Sequence, residues 1–128
     1  MGVRESLRSR CTGHAGVSGL IGTRCYPMTL PQNAQMPAVT YQLISTPPNN
    51  YQDHDGTPDR WTYRVQLDAY ADTSDGAAAL GDQLFAAFAG WSDPPSVGWS
   101  VVQNRQEQRD TILNLHRNIV EIVIDHEV

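Results

Sequence analysis

The chain of 128 residues contains no lysine, and its nine basic residues are all arginine. A phosphate-binding loop of the form GxxxxGK[ST] requires a lysine, so this class of nucleotide site is excluded. With a net charge of −5 and no basic stripe, the chain is also a poor candidate for binding the phosphates of nucleic acids. Exclusive use of arginine suits protein interfaces, because the planar guanidinium pairs with carboxylates, and it fits a GC-rich genome equally well.

Cysteine and long hydrophobic runs are scarce too. No apolar segment approaches the roughly 20 residues of a membrane span, and the N-terminal MGVRESLRSR has no signal-peptide core. We therefore expect no membrane partner and assembly in the cytoplasm where the chain is made. In that compartment Cys11 and Cys25 are expected to be free thiols, buried or half-buried, and not a disulfide.

The sequence also lacks the common catalytic and metal-binding patterns. Gly16-Val17-Ser18-Gly19 does not have the spacing of a nucleophile elbow. Cys11, His14 and Cys25 include a ligand-like spacing, but no fourth ligand and no second close pair complete a zinc site. We therefore predict no enzyme activity, no cofactor and no metal.

Three helices are predicted from apolar residues at spacings of three and four. Two short N-terminal helices end at Gly13 and Gly22, and the main helix covers about residues 74–89, with Thr73 or Ser74 as its N-cap. The short helices carry Val3, Leu7 and Cys11, then Val17, Leu20 and Ile21. The apolar face of the main helix consists of Ala77, Leu80, Leu84, Phe88 and Trp91.

Four strands are predicted where apolar and polar residues alternate or β-branched residues cluster. They are AVTYQLIS at 38–45, WTYRVQLDAYA at 61–71, the alternation of Val97, Trp99 and Val101, and NIVEIVID at 118–125. The order of elements predicts one α+β domain over residues 1–128, with an antiparallel sheet of about four strands and the helices on one face. Residues 118–125 are expected at the centre of that sheet.

The strand pattern also assigns side chains to faces. Trp61, Tyr63 and Trp99 fall on the core faces, although large aromatic residues also serve as interface anchors. Arg64 and Asp68 share the polar face of one strand and are expected to be solvated. Tyr70 lies on that outward face, where an interface role is a reasonable hypothesis.

A stretch near the N-terminus resembles the small phage tail-completion family. The matching residues are Gly22, Arg24, Tyr26, Pro27, Leu30, Pro31, Gln32, Pro37, Tyr41, Gln42 and Ser45. The strand 64–68 and the helix 72–88 fall where that family has its next strand and helix, so the resemblance covers about residues 3–90 well. The C-terminal strands match loosely, through a polar turn at Gln108-Arg109-Asp110.

The resemblance implies a structural virion protein. Family members act as tail terminators or tail-to-head joining proteins, form a ring of usually six subunits on the head-proximal end of the tail tube, and stop tube polymerisation. The implied partners are further copies of the chain, the tail tube protein and the head-neck connector or stopper. Genome DNA would pass through the lumen without specific binding.

Two polar segments, 47–60 and 103–117, are interpreted as long loops that reach neighbouring subunits or rings, although the start of the second could extend the third strand. The candidate interface residues are Tyr51, Asp53, Asp55, Asp59, Tyr70, Arg105, Glu107, Arg109 and Asp110. We expect some of Asp53, Asp55 and Asp59 to line or approach an acidic lumen that repels DNA phosphates.

Two other function classes stay open at this point. A head-side neck adaptor or stopper of the same particle would have a similar fold but would contact the portal-side ring. A small enzyme or ligand-binding module would instead require a deep pocket with convergent polar groups.

Overall fold

The computed structural model describes residues 2–45, 48–49, 60–94 and 97–127. The elements in chain order are α1 (Val3–Gly13), α2 (Ala15–Ile21), β1 (Cys25–Pro27), β2 (Ala38–Ser45), β3 (Pro48–Asn49), β4 (Arg60–Ala71), α3 (Ser74–Phe88), β5 (Trp99–Asp110) and β6 (Leu115–Glu127). Among the described helices, none is long and apolar enough to cross a membrane.

The strands form one sheet in the order β1-β2-β4-β6-β5, with β3 pairing the start of β4. Only β1 and β2 are parallel among the described pairs, and the α+β prediction is confirmed. The described sheet has six strands instead of about four, because β1 and β3 are too short to leave an alternating pattern in the sequence. Strand β6 lies between β4 and β5, so its predicted interior position is confirmed.

The helices pack on one face of the sheet, as predicted. All five apolar residues predicted for the main helix are buried, although Trp91 lies beyond the end of α3 at Phe88. Leu80, Leu84, Phe88 and Trp91 share one core cluster with inward-facing residues of β2, β4 and β6. The sheet side of this core consists of Val39, Tyr41, Val65, Leu67, Ala69, Val120, Ile122 and Ile124. In α2, Leu20 differs from its prediction and is exposed.

Helix α3 begins and approaches the sheet as its sequence requires. The Thr73 hydroxyl accepts a hydrogen bond from the Gly76 backbone N–H at 3.0 Å, which satisfies one of the free donors of the first turn. Gly81 faces the sheet so closely that a Cβ there would lie 2.7 Å from Asn118 Cγ and 2.8 Å from Arg105 Nη2. The absence of a side chain at residue 81 therefore sets the distance between α3 and strands β5 and β6.

The predicted burial of Trp99 is wrong. Trp99 is 43% exposed, and Ser100 and the partly buried Val102 occupy the core side of β5 instead. Val97 is buried but belongs to a separate bridge with Asp93, so it is not in phase with the strand that begins at Trp99. Tyr63 is partly buried against the core as predicted, while the side chain of Trp61 lies outside the described residues.

The polar segment 103–117 is not a long loop. Residues up to Asp110 continue β5 through a bulge between Val102 and Asn104, and β6 begins at Leu115. Antiparallel pairing with β6 supplies the backbone hydrogen bonds, so a polar strand with an exposed edge is stable here. Of the other predicted loop, 47–60, only residues 48–49 and 60 are described, and all three are in strands.

Leu84→Ala tests the packing of α3 on the sheet. Leu84 is fully buried, so the substitution should lower the free energy of unfolding by about 2–5 kcal/mol. The neighbouring Phe85 is largely exposed, and Phe85→Ala should cost less than about 1 kcal/mol. Urea unfolding followed by circular dichroism measures both, and equal losses would contradict the packing described.

Candidate functional site

In the described chain no helix covers the sheet face opposite α1, α2 and α3. A buried carboxylate lies near the centre of that face. Asp68, predicted to be solvated, is buried. Arg117 Nη2 donates to Asp68 Oδ2 at 3.0 Å, and Gln66 Nε2 donates to both carboxylate oxygens at 3.0 and 3.1 Å. These donors replace the water that an outward-facing carboxylate would bind, which explains why the prediction is wrong.

Tyr70 belongs to the same cluster. It lies on the face opposite the helices, as predicted, yet it is only 8% exposed, and the Arg117 guanidinium is 5.7 Å from its ring centroid. Burial, and then the nearby charge of Asp68, raise the pKa of the Tyr70 hydroxyl. The Tyr70 hydroxyl therefore stays neutral at physiological pH. Most of the side-chain surface of Tyr70 is covered by other residues of the same chain.

Arg109 and Asp110 shape the turn between β5 and β6. Asp110 Oδ1 accepts hydrogen bonds from the backbone N–H groups of Ile112 at 3.1 Å and Leu113 at 3.0 Å. Arg109 Nη2 donates to Asn114 Oδ1 at 2.7 Å, and Asn114 has the left-handed φ of 55°. The turn is thus fixed by side chains, and it presents Ile112 at 93% exposure and Leu113 at 51%.

A groove of about 600 Å³ lies beside this turn. Residues 28–36 form one wall, and Tyr70, Asp72, Asp110, Leu113 and Leu115 form the other. Apart from the two carboxylates and the tyrosine hydroxyl, the second wall is apolar. No group of three or more His, Cys, Asp or Glu residues able to hold a metal occurs in the described part of the chain.

Arg105 and Glu107 lie on β5 and differ in their surroundings. Arg105 donates to Asp82 Oδ1 at 2.8 Å and to Asn118 Oδ1 at 3.2 Å, so it ties α3 to the sheet. Glu107 is exposed. Tyr51, Asp53, Asp55 and Asp59 lie outside the described residues, and an interface role for the whole set of nine candidate residues stays a prediction.

A second apolar surface was not predicted from the sequence. On the sheet face opposite the helices, Trp99, Val101 and Ile44 are 43%, 53% and 41% exposed. The half-buried Val123 pairs with both Val101 and Arg64, so these residues are adjacent across three strands. We call this surface, formed by Ile44, Trp99, Val101 and Val123, the sheet patch.

The two cysteines are close together in the core. Cys11 and Cys25 are both free and buried, as predicted. A hydrogen bond with the Cys25 thiol, together with burial, raises the pKa of the Cys11 thiol. Cys11 therefore stays protonated and packs as a small apolar residue.

The fold and its surfaces define a class: a small α+β domain with helices on one sheet face, exposed apolar surfaces at the other face and at one hairpin, and a groove beside that hairpin. The family model for tail completion protein gp17 matches residues 5–124. The chain therefore belongs to the phage tail-completion family and is a structural virion component. The match extends beyond residue 90, where the sequence resemblance was loose.

A solved structure shares the whole fold. One chain of the "Virion of native gene transfer agent (GTA) particle" superposes with a TM-score of 0.69 at 15% identity, covering 99% of this chain and 92% of that chain. No curated protein sequence matches. At this level of identity the structural match bears on the fold alone.

Arg117→Met tests the buried cluster. The substitution leaves the Asp68 carboxylate buried without its cation, and we expect a loss of about 2–4 kcal/mol in the free energy of unfolding. Arg64→Met is the matched control: its 4.0 Å contact with Glu121 is at the surface, so its loss should be under about 1 kcal/mol. Adding Asp68→Asn to Arg117→Met should recover part of the loss, and no recovery in urea unfolding would contradict the proposed pairing.

Proposed function

We propose that the chain forms a ring, of six copies, on the head-proximal end of the tail tube, where it stops tube polymerisation and joins the tail to the head-neck. The observation that carries this proposal is the match to the tail-completion family over residues 5–124. The partners on this proposal are other copies of the chain, the tail tube protein and the head-neck connector or stopper. Assembly takes place in the host cytoplasm.

The surfaces of the chain support an assembly role. Contiguous exposed apolar surfaces mark protein interaction sites, and a subunit that meets several neighbours uses more than one such site. The turn at residues 111–114 and the sheet patch both have this property, and both lie on long paired strands. The groove beside the turn offers a third, concave surface.

Deletion of the gene from the parental phage tests this function. If the chain ends tube growth, electron microscopy should show free heads beside abnormally long tubes, because nothing caps the growing end. Supplying the unsubstituted chain in trans should restore normal particles. Tails of normal length that fail to join heads would point to a head-side neck adaptor or stopper, and intact infectious particles would overturn both roles.

The acidic charge of the chain gives a second test. Six copies at −5 each would carry about −30, and an acidic lumen would let DNA pass without sticking. We propose that Asp53, Asp55 and Asp59 contribute to that lumen. Changing all three to Asn should leave tail length and head joining unchanged but slow DNA release from purified particles.

A matched control removes the same charge elsewhere. The control variant combines Glu5→Gln, Asp75→Asn and Asp93→Asn, which are in other parts of the chain. It should leave the rate of DNA release unchanged. Equal rates for both triple variants, measured by fluorescence of released DNA, would argue against a position of the three aspartates at the lumen.

A further inference from the structure

The turn between β5 and β6 exposes apolar side chains in a fixed conformation. Ile112 and Leu113, which we call the knob, are held by the two hydrogen bonds that their backbone N–H groups donate to Asp110. Turn positions are usually occupied by Gly, Pro, Asn, Asp or Ser, so two adjacent exposed apolar residues in a turn are unusual. A rigid turn that presents Ile112 at 93% exposure is therefore suited to insertion into another protein surface.

The sheet patch places three exposed large apolar side chains on the sheet face opposite the helices: Ile44, Trp99 and Val101. It extends across four paired strands, from β2 through β4 and β6 to β5, so the backbone positions of its residues are fixed. Trp99 provides a large rigid aromatic surface of the kind that anchors protein interfaces. Ile44 borders it on the far side of Arg64, at the bulge near the end of β2.

Knob and patch lie at opposite ends of one hairpin. Val101 and Ile112 are separated by most of the length of β5, which is roughly 30 Å at the rise of an extended strand. One chain therefore cannot bring its own knob to its own patch. A closed ring needs two unlike surfaces of this kind on each subunit, because its interfaces are heterologous.

Opposite charges lie beside the two surfaces, and the exposed Arg109 also flanks the knob. Asp72 and Asp110 lie next to the knob, where both line the adjoining groove. Beside the patch, on β4 between β2 and β6, lies Arg64, whose side chain is 48% exposed and 4.0 Å from Glu121. Glu121 is less exposed and the nearby Asp125 is buried, so Arg64 is the most exposed of these three charged side chains.

The edge of β5 is a weaker candidate for the contact between copies. In the described sheet β5 has a neighbour on one side only, but it carries a bulge and the charged residues Arg105, Glu107 and Arg109. Both features are devices that prevent strands from pairing edge to edge. Contact through side chains is therefore favoured over extension of the sheet.

We infer that the knob of one copy of this chain docks on the sheet patch of the next copy, with Asp72 near the neighbour's Arg64. The inference rests on the proposed ring and specifies the surfaces that would close it. Such a contact repeats in one direction around the ring. It covers the wall of the groove that Asp72 and Leu113 form and leaves the outer face of the helices free for other partners.

Cysteine cross-linking in assembled particles tests the contact. The chain carrying both Val101→Cys and Ile112→Cys, treated with a short-spacer bismaleimide, should give a ladder of covalent oligomers that ends at the ring number. The distance between the two thiols in one chain is too long for a short spacer, so the links must join different copies. Cys11 and Cys25 are buried, and the unsubstituted chain serves as the control for their reaction.

The single-cysteine variants decide between arrangements. Neither Val101→Cys nor Ile112→Cys alone should cross-link. In each single variant the introduced thiol faces a neighbouring surface that carries no introduced thiol. Dimers from Ile112→Cys alone would mean a symmetric contact and would overturn the inference. A cross-link from Ile112→Cys to a different virion protein would also overturn it, since the knob would then face another partner.

A charge exchange provides an independent measurement on the double-cysteine chain. Arg64→Glu should reduce the yield of the ladder at least about tenfold, because like charges across an interface cost several kcal/mol. Adding Asp72→Arg should restore the yield, and failure of this rescue would contradict the charge pairing.

The same particles separate failure of the contact from failure of the proposed function. Labelled chain found at the head–tail junction without a ladder would overturn the knob-and-patch contact alone. A ladder formed by free assemblies of the chain, with no chain at the junction, would support the contact and overturn the proposed function.

Discussion

The register between β4 and β6 is the constraint on which the two faces of the molecule depend. The strands pair over twelve residues, from Arg60 opposite Glu127 to Ala71 opposite His116. A slip of one residue would turn every side chain of one strand to the other face. Val65 and Leu67 would then leave the core, and Asp68 would enter it without Arg117. The helical core and the opposite face are therefore specified together.

The buried pair adds to this specification from the face opposite the helices. Asp68 and Arg117 lie on adjacent strands, and Gln66 and Tyr70 complete the cluster around them. A buried ion pair adds little net stability compared with apolar residues, but breaking it leaves an uncompensated charge. The cluster therefore penalises wrong registers more than it stabilises the right one. It also orders the middle of the open face, between the knob at one end and the sheet patch at the other.

Periodicity in the sequence predicted the elements with a strong pattern and missed features that depend on tertiary contacts. The apolar face of α3 and the strands β2 and β4 follow from spacing, β6 follows from its cluster of β-branched residues, and Thr73 is one of the two predicted caps. The alternation of Val97, Trp99 and Val101 predicts Trp99 in the core, yet Val97 belongs to a separate bridge with Asp93. The burial of Asp68 depends on Arg117, which is 49 residues away, and no local pattern reports such a partner. Of the candidate interface residues, Arg109 and Asp110 lie at the end of β5 beside the turn that presents the knob, but no pattern in the sequence singles out Ile112.

The hairpin of β5 and β6 links the proposed contact to the geometry of the sheet. It carries the knob at its turn and much of the sheet patch near its open end, so the offset between the two surfaces is set by strand length and by the bulge between Val102 and Asn104. A bulge bends its strand and increases the local twist. On our proposal, that bend helps to set the angle between successive subunits, and hence how many copies close a ring. Insertion of two residues in both strands would keep each side chain on its face but would move the knob outward by about 7 Å. The number of copies in the ring would then depend on the length of a polar strand whose side chains take little part in the core. On this proposal, residues 103–110 serve mainly to set the distance between the knob and the sheet patch.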